Sequence, residues 1–293
     1  MQAAAVTLAP LQLAPATIAG ILYAIRAAHL RDRGRPVPGW RQACFYGGLV
    51  TIVAALTSPL GAEADDAFVA HMAEHLLIGD VATLLLVLGL TGPMLAPLLR
   101  IHLLAPLRAL AHPLVALPLW AADLYVWHLP ALHEAAVRHE ALHALQHGLF
   151  VTCGVLMWMP LFGPLPKPAW FGNLAKLGYI VAVRLLGAVL GNVLLWSGHV
   201  LYPVYGEPVA DQTTAAAIMM VEGSLLTLGL FAWLFLRTAR DVDERQELLE
   251  LAAARGVELS ERRAGRAVAA GRGAELRRRI EAGAPGRDEA WDS

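Results

Sequence analysis

Cysteine and charge are both scarce in this sequence of 293 residues. Cys44 and Cys153 are the only cysteines and no CxxC pair occurs, which excludes a disulfide framework and a thiolate metal motif. Charged residues make up 16% of the chain, against about 25% in soluble domains. The net charge of −1 gives no sign of a nucleic-acid partner. No Lys or Arg precedes the first apolar segment, so we expect a retained helix there rather than a secretory leader.

Long apolar stretches replace the missing charge. Hydrophobic residues make up 57% of the chain, and the mean hydropathy is +0.53. A stretch of about 18 or more apolar residues can cross a bilayer as a helix, which satisfies its own backbone polar groups. The sequence therefore predicts an all-α, polytopic integral membrane bundle of about seven transmembrane helices within residues 1–236. The predicted spans are Leu8–Leu30, Trp40–Leu60, Phe68–Leu90, Pro113–Leu129, His139–Leu161, Leu174–Gly198 and Gln212–Leu236.

The distribution of basic residues predicts the orientation of these spans. Of the 23 basic residues, 21 fall at the inner end of the first span, in the first, third and fifth connections, or after residue 236. Short loops rich in Lys and Arg stay in the cytoplasm, so we predict an outer N-terminus and an inner C-terminus. Residues 237–293 carry 12 basic and 12 acidic residues. They predict a charged cytoplasmic tail, helical or partly disordered, with breaks near Gly256, Gly271 and Gly273.

Histidine is concentrated on one predicted side of the membrane. Eight of the 11 histidines fall at or near the outer ends of predicted spans: His71, His75, His128, His133, His139, His143, His147 and His199. Only His29, His102 and His112 fall on the inner side. The pair His71 and His75 has i, i+4 spacing at the start of the third span, and His139, His143 and His147 repeat that spacing at the start of the fifth. Side chains four residues apart share one face of a helix.

This spacing predicts a metal site, because neutral imidazoles one turn apart can bind a single ion. The expected ligands are His71, His75, His128, His139, His143 and His147. Glu74 is expected to support them as a hydrogen-bond acceptor or to serve as an occasional ligand. Met72 lies beside the first pair and Met219 lies down the seventh span. Imidazole with thioether suits copper, particularly Cu(I), whereas imidazole alone suits Cu(II) or zinc equally. His133, in a predicted loop, and His199 are more typical of structural hydrogen-bonding residues.

Four ionisable residues fall near the middle of predicted spans: Asp80, Asp123, Arg184 and Glu222. A charge in lipid is costly, so such groups face the bundle interior and pair with one another, or they mark a pathway. One arginine among three carboxylates predicts an ion pair and at least one protonated carboxyl. A polar clamp between helices is an equally open interpretation. Asp211 is expected to cap the seventh helix.

Several short motifs resemble one family. These are His71-Met-x-x-His75, Trp127-His-x-Pro130, His143-x-x-x-His147-x-x-Phe150, and Tyr202-Pro-x-Tyr205 followed by Asp211-Gln212. Their order over roughly residues 40–236 resembles the CtaG-type cytochrome c oxidase assembly factors. The resemblance implies a seven-helix bacterial plasma-membrane protein associated with maturation of the copper centres of haem–copper oxidases. It also implies that both histidine pairs belong to the functional site, with His128 and Asp211 close by.

The leading hypothesis is a non-enzymatic copper-handling assembly factor. Histidines at the periplasmic or extracellular face would hold copper and pass it to a haem–copper oxidase subunit, with another copper chaperone as a possible source of the metal. One alternative is an intramembrane zinc-dependent hydrolase that uses Glu74 or Asp80 to activate water, although no HExxH motif is present. The other alternative is a haem-binding electron-transfer protein. Besides the oxidase, the expected partner is the lipid bilayer.

Overall fold

The structure is a computed structural model that describes residues 2–101, 107–206, 209–269 and 271–283. Throughout these ranges the chain forms helices and contains no strand, so the predicted all-α fold class is confirmed. The predicted inner histidine His102 lies outside the described residues.

Fourteen α-helices occur in the described ranges. They are α1 (Gln2–Asp32), α2 (Gly39–Thr57), α3 (Pro59–Glu63), α4 (Phe68–Leu76), α5 (Thr83–Gly89), α6 (Gly92–Leu95), α7 (Leu107–Leu110), α8 (Pro113–Trp127), α9 (Pro130–Arg138), α10 (Glu140–Phe162), α11 (Asn173–Trp196), α12 (Val209–Ala254), α13 (Glu261–Ala269) and α14 (Gly273–Glu281). A π-helical segment, Leu77–Ala82, joins α4 to α5, and short 3₁₀ turns cover Leu98–Arg100 and Pro203–Tyr205.

Among the described residues, five helical segments are long and apolar enough to cross a membrane, or six if one bent pair counts as a single span. The five are Leu13–Asp32, Phe68–Gly89, Glu140–Phe162, Asn173–Trp196 and Val209–Ala254. Helix α2 has 19 residues but is not among them, since Arg41 and Gln42 interrupt its apolar sequence. The helical membrane bundle is therefore confirmed, whereas the number of seven spans is not.

The bent pair consists of α8 and α9, which meet at an angle of 73°. Pro130 occupies the first turn of α9, a position where its missing N–H costs nothing. The residues that follow, Ala-Leu-His-Glu-Ala-Ala-Val-Arg, are mostly good helix formers. The sequence analysis placed His133 in a loop, and this is wrong: His133 lies in α9.

Helix α12 runs unbroken for 46 residues, from the predicted seventh span into the charged segment. Its charged part, Arg237–Ala254, contains neither Pro nor Gly, so nothing in it interrupts a helix. The helix ends just before Gly256, which has a φ of 63°, and α13 ends just before Gly271, which has a φ of 68°. Glycine tolerates this left-handed conformation at helix ends, which explains both breaks.

The contacts divide the chain into two compact units, Met1–Thr227 and Leu228–Ser293. The second unit has its own apolar core, in which Leu248 and Ala252 of α12 pack with Val268, Leu276 and Ile280 of α13 and α14. The division predicted from composition, at residues 236 and 237, stays a prediction.

Within the first unit, a close backbone contact fixes the crossing of the third span over α10. A Cβ atom on Gly154 would overlap the carbonyl oxygen of Gly79 and the side chain of Thr83. Gly79 belongs to the π-helical segment, whose extra residue per turn displaces a carbonyl from the regular ladder. The indole of Trp158 donates to the carbonyl oxygen of Asp80 at 3.1 Å. This contact sets α4 beside the first two turns of α10.

Candidate metal site

The first histidine pair lies on α4. His71 is fully buried and His75 is 7% exposed, and their ring centroids are 4.1 Å apart. No side chain of the preceding segment caps this helix. Instead the Asp211 carboxylate, from the start of α12, accepts hydrogen bonds from the backbone N–H of Phe68 at 2.8 Å and of Val69 at 3.2 Å.

The prediction that Asp211 caps its own helix is therefore corrected, since its oxygens cap α4. The first N–H groups of a helix lack partners within the helix, and a carboxylate there also interacts favourably with the helix dipole. Asp211 thus fixes the start of the helix that carries the first histidine pair.

The second histidine pair lies on α10 and faces the first. The rings of His143 and His147 are 4.3 Å apart by centroid. Across the helix interface, the His71 and His143 rings stack at 5.0 Å with an interplanar angle of 10°. The His75 and His147 rings meet edge to face at 5.2 Å. The structure thus brings together the two pairs that the sequence placed on one predicted side of the membrane.

Four residues, here called the donor group, can offer ligand atoms to one ion: Glu74, His75, His143 and His147. One ligand atom from each lies within 4.8 Å of those of the other three. Bonds of about 2 Å to a central ion place donors up to about 4 Å apart, so small side-chain rotations suffice to close the site. The donor set of three imidazoles and one carboxylate suits copper or zinc.

The unpartnered atoms of the donor group support this fit. His75 Nε2, His143 Nε2, both ring nitrogens of His147 and Glu74 Oε2 are buried without a hydrogen-bond partner among the described residues. A buried polar atom without a partner costs about 1–3 kcal/mol. A cation bound among these residues would satisfy one atom of each.

Carboxylates approach both histidines of α10. Glu74 Oε2 lies 3.6 Å from His147 Nε2, and Asp65 Oδ1 lies 3.9 Å from His143 Nδ1. Asp65 lies outside the membrane-spanning segments, and desolvation, followed by the neighbouring carboxyl of Glu74, raises its pKa. Glu74 is therefore a candidate ligand as well as a supporting acceptor, the two roles that the sequence predicted.

His71 borders the donor group, and its tautomer is fixed by a backbone contact. Its Nδ1 lies 3.3 Å from the carbonyl oxygen of Ala64, which can only accept, so Nδ1 carries the proton. Its Nε2 is buried without a partner and presents a lone pair. This is the arrangement of a metal-ligating imidazole held by a backbone carbonyl.

His128 has the same arrangement at the end of α8. Its Nδ1 lies 2.6 Å from the carbonyl oxygen of Leu124, and its Nε2 is buried without a partner. His133, which the sequence analysis set aside, is 1% exposed and lies between His128 and His71, at centroid distances of 6.3 Å and 4.8 Å. Its Nε2 lies 2.9 Å from the Tyr205 hydroxyl. His71, His128, His133 and the three histidines of the donor group form a continuous series, here called the histidine cluster.

The helix-forming residues after Pro130 were the signal that could have placed His133 in this cluster. In contrast, the structure leaves the predicted ligand His139 outside it. His139 is exposed, directly before the first residue of α10. His199 is also exposed, and its Nδ1 lies 2.6 Å from the carbonyl oxygen of Ser197.

The aromatic loop between α11 and α12 buttresses the histidine cluster. The Tyr202 hydroxyl donates to the carbonyl oxygen of His128 at 2.8 Å. Burial raises the pKa of Tyr202 and of Tyr205, so both hydroxyls stay protonated. The Gln212 amide holds the loop by accepting from the Leu201 N–H at 2.8 Å and donating to Ser197 Oγ at 2.7 Å. The structure thus gives these aromatics a positioning role.

Met72 packs among apolar side chains. It is 2% exposed and shares a core cluster with Phe68, Leu190, Tyr202 and Met219. The predicted thioether thus has a packing role in this structure, and the unpartnered buried donors described above are imidazoles and a carboxylate.

The predicted ion pair among the ionisable residues of the membrane spans is not seen as a direct contact among the described residues. The Arg184 guanidinium donates to Ser224 Oγ at 3.0 Å and to the carbonyl oxygen of Met220 at 3.5 Å, and it pairs with no carboxylate among the described residues. The Arg184 side chain lies close to Gly223 of α12.

The three carboxyls are separate from the donor group. Asp80 lies in the π-helical segment. Asp123 Oδ2 and Glu222 Oε1 are buried without a partner among the described residues, and Asp123 lies beside Trp127 and Cys153. These groups lie deeper along their helices than the histidine cluster.

An apolar cavity of about 560 Å³ borders the donor group at His147. Its walls come from α1, α2, α5 and α10, and His147 is its one ionisable lining residue among those described. An apolar environment favours neutral ligands over charged ones. It therefore favours the neutral, metal-binding form of this imidazole.

Comparison with known proteins identifies relatives of this chain. It is 28% identical over 198 residues to uncharacterized proteins of Mycobacterium bovis and Mycobacterium tuberculosis, and 24% identical over 200 residues to one of Mycobacterium leprae. Each match covers 62% of this chain and 30% of the relative, so the chain spans about a third of the length of these proteins. No solved structure matches.

A family model provides the assignment. The model described as cytochrome c oxidase caa3 assembly factor matches residues 21–241, a range that includes both histidine pairs, the aromatic loop and Asp211. The chain belongs to the family of cytochrome c oxidase caa3 assembly factors.

Proposed function

We propose that this assembly factor binds a copper ion through the donor group and passes it to a subunit of the oxidase. The observation that carries the proposal is the convergence of four ligand atoms within 4.8 Å, together with buried nitrogens that lack a partner. No chemical conversion of the ion is required, because transfer is an exchange of ligands. The proposed role is therefore non-enzymatic.

The donor set suits transient binding. Imidazoles are borderline ligands that accept either oxidation state of copper, and three of them with one carboxylate enclose an ion less completely than a thiolate cage. Each ligand also lies on a helix that can move relative to its neighbour. His71, with its free Nε2, is the first additional ligand that a departing or arriving ion meets.

Sidedness follows from the distribution of basic residues. The histidine cluster lies at the start of α4 and α10, whereas Arg33, Arg41 and Arg100 lie near the other ends of the spans. Because basic loops stay in the cytoplasm, the proposed metal site faces the periplasm or the extracellular space. Copper delivered there would come from another copper chaperone or from the surrounding medium.

The experiment compares the double variant His75→Ala/His147→Ala with a matched double variant, His139→Ala/His199→Ala, in which two exposed histidines are removed. We expect the purified wild-type protein and the exposed-site variant to retain about one copper, and the donor-group variant to lose it. In cells, oxidase copper content and activity should fall only with the donor-group variant. In intact cells, a copper chelator that does not cross membranes should strip the wild-type site.

Three results would overturn the proposal. Full oxidase copper loading with the donor-group variant would remove the assembly role of these histidines. Bound zinc with hydrolysis of lipid or peptide would favour the hydrolase, in which Glu74 would activate water. A Soret band in the purified protein would favour haem binding.

A further inference from the structure

Besides the apolar cavity, the first unit holds a polar cavity at the end opposite the histidine cluster. Its volume is about 340 Å³, and five of its lining residues are basic: Arg26, His29, Arg33, Arg35 and Arg100. The remaining walls come from Leu30 and from the turn around Pro93. We call it the arginine cavity. From His75 to the end of α5, the third span extends about 20 Å toward this end.

The local folding of α1 explains how these side chains meet. Arg26 and His29 are three residues apart on one face of the last turns of α1, and Arg33, directly after the end of the helix, continues the same spacing. Arg26 is anchored, because its Nη2 donates to the carbonyl oxygen of Pro93 at 2.7 Å. Its Nε is buried without a partner among the described residues. Arg100 reaches the cavity from the end of a 3₁₀ turn.

The charge in this cavity is unbalanced. None of the described residues that line it is acidic, and Asp32, the nearest acid in sequence, is exposed and outside the lining. The C-terminal dipole of α1 favours cations, but a helix end carries only about half an elementary charge. Four guanidinium groups around one cavity therefore call for an anion. Guanidinium matches the geometry of phosphate oxygens, to which it donates two parallel hydrogen bonds.

We propose that the arginine cavity binds the phosphate headgroup of an anionic membrane lipid. Basic pockets between transmembrane helices on the cytoplasmic side are suited to such headgroups. The surface beside the cavity favours a lipid over a free phosphate ion. Leu22 and Ile25, each 61% exposed, lie one turn before Arg26 and His29 on α1, and Ile101 next to Arg100 is 50% exposed. Acyl chains can pack on these side chains while the headgroup enters the cavity.

The test uses the full-length protein, purified in mild detergent and stripped of lipid, with bound lipid counted by native mass spectrometry. Phosphatidylglycerol and phosphatidylcholine are titrated in parallel. Two variants form a matched pair: Arg33→Gln removes a lining residue, and Arg31→Gln removes an exposed charge two residues earlier that does not line the cavity.

Phosphatidylglycerol should bind the wild-type protein in preference to phosphatidylcholine. Each basic residue near an anionic surface strengthens binding about fivefold, so Arg33→Gln should weaken the phosphatidylglycerol affinity about fivefold. Adding Arg100→Gln should weaken it about 25-fold in total. The Arg31→Gln change should be less than twofold, and copper content should stay unchanged in all variants.

Equal weakening by Arg31→Gln and Arg33→Gln would overturn the proposal, since diffuse attraction to a basic surface would then explain the binding. Inorganic phosphate provides the other decisive arm. One contrary result is that millimolar phosphate displaces phosphatidylglycerol completely and stabilises the lipid-free protein against thermal unfolding as well as the lipid does. In that case the site takes free phosphate and the assignment to lipid is wrong. If phosphate fails to displace the lipid, the assignment stands.

Discussion

The two ends of the first unit concentrate opposite kinds of nitrogen. At one end, five buried histidines and the partly buried His143 bring unpartnered ring nitrogens close together, and the lone pairs of these atoms suit a metal ion. At the other end, four arginines bring positive charge to the arginine cavity, and their N–H groups suit an anion that accepts hydrogen bonds. The first end is lined by imidazole groups, which bind cations through lone pairs, whereas the second is lined by guanidinium groups, which bind anions through hydrogen bonds.

On the two proposals above, this difference allows one bundle to combine lipid binding with metal binding. Coordination by neutral imidazoles depends on positions within about 0.5 Å and little on ionic strength. Attraction between guanidinium and phosphate tolerates looser geometry but is long-ranged. Arginines that bind lipid at one end, as proposed, would leave the histidine end free for exchange of an ion. Three further experiments test this difference between the two ends.

The largest effect is expected from Gly154→Ala, which should damage the histidine end and spare the arginine end. The added Cβ would overlap the Gly79 carbonyl oxygen and Thr83, and overpacking of this kind costs about 1–3 kcal/mol. Thermal unfolding should shift down by several degrees, and copper content should fall. The control is Gly148→Ala, whose Cβ finds no atom within 4 Å. Equal unfolding temperatures for the two variants would contradict the proposed role of the helix crossing.

A smaller effect is expected from Asp211→Ala, which removes the cap of α4. Loss of such a cap costs about 1 kcal/mol, and because α4 carries His71 and His75, copper affinity should fall about fivefold. Asp211→Asn keeps an acceptor oxygen and should recover most of the affinity. Copper titration of the three proteins checks this, and an unchanged affinity in Asp211→Ala would show that the cap does not position the histidines.

The smallest effect is expected from salt, which should act on the arginine end alone. Raising ionic strength from about 0.1 M to 0.5 M shortens the screening length about twofold. Retention of phosphatidylglycerol should therefore fall about threefold, while copper content stays constant. Parallel measurement of lipid and metal on one sample provides the control. Loss of copper with salt, and not of lipid, would reverse the comparison.

The sequence predicted the histidine end better than any other part of the molecule. Spacing of four residues on two apolar helices determines that His71 and His75 share one face, and that His143 and His147 share another. That the two faces meet is not encoded locally. It depends on the Gly79–Gly154 contact, in which small residues 75 positions apart allow close backbone approach.

Long-range contacts explain most of the remaining differences. Asp211 was assigned to its own helix because a carboxylate near a helix start usually caps that helix, yet its partner Phe68 lies 143 residues away in the sequence. The pairing of Arg184 with carboxylates was predicted from charge alone. In the structure its long side chain donates to the hydroxyl of Ser224 instead. His133 was missed for a local reason, since a helix of nine residues after a proline is too short to give a strong periodic signal.

The close contact of Gly79 with Gly154 is also the point about which a tilt of the third span against α10 would turn. His75 lies four residues before Gly79 along its helix, a lever arm of about 6 Å. A tilt of about 10° between the two helices around this point displaces the imidazole by about 1 Å. Such a displacement is comparable to the tolerance of a coordination bond. If the donor group holds an ion as proposed, a tilt of this size would be enough to weaken the bond from His75 to that ion.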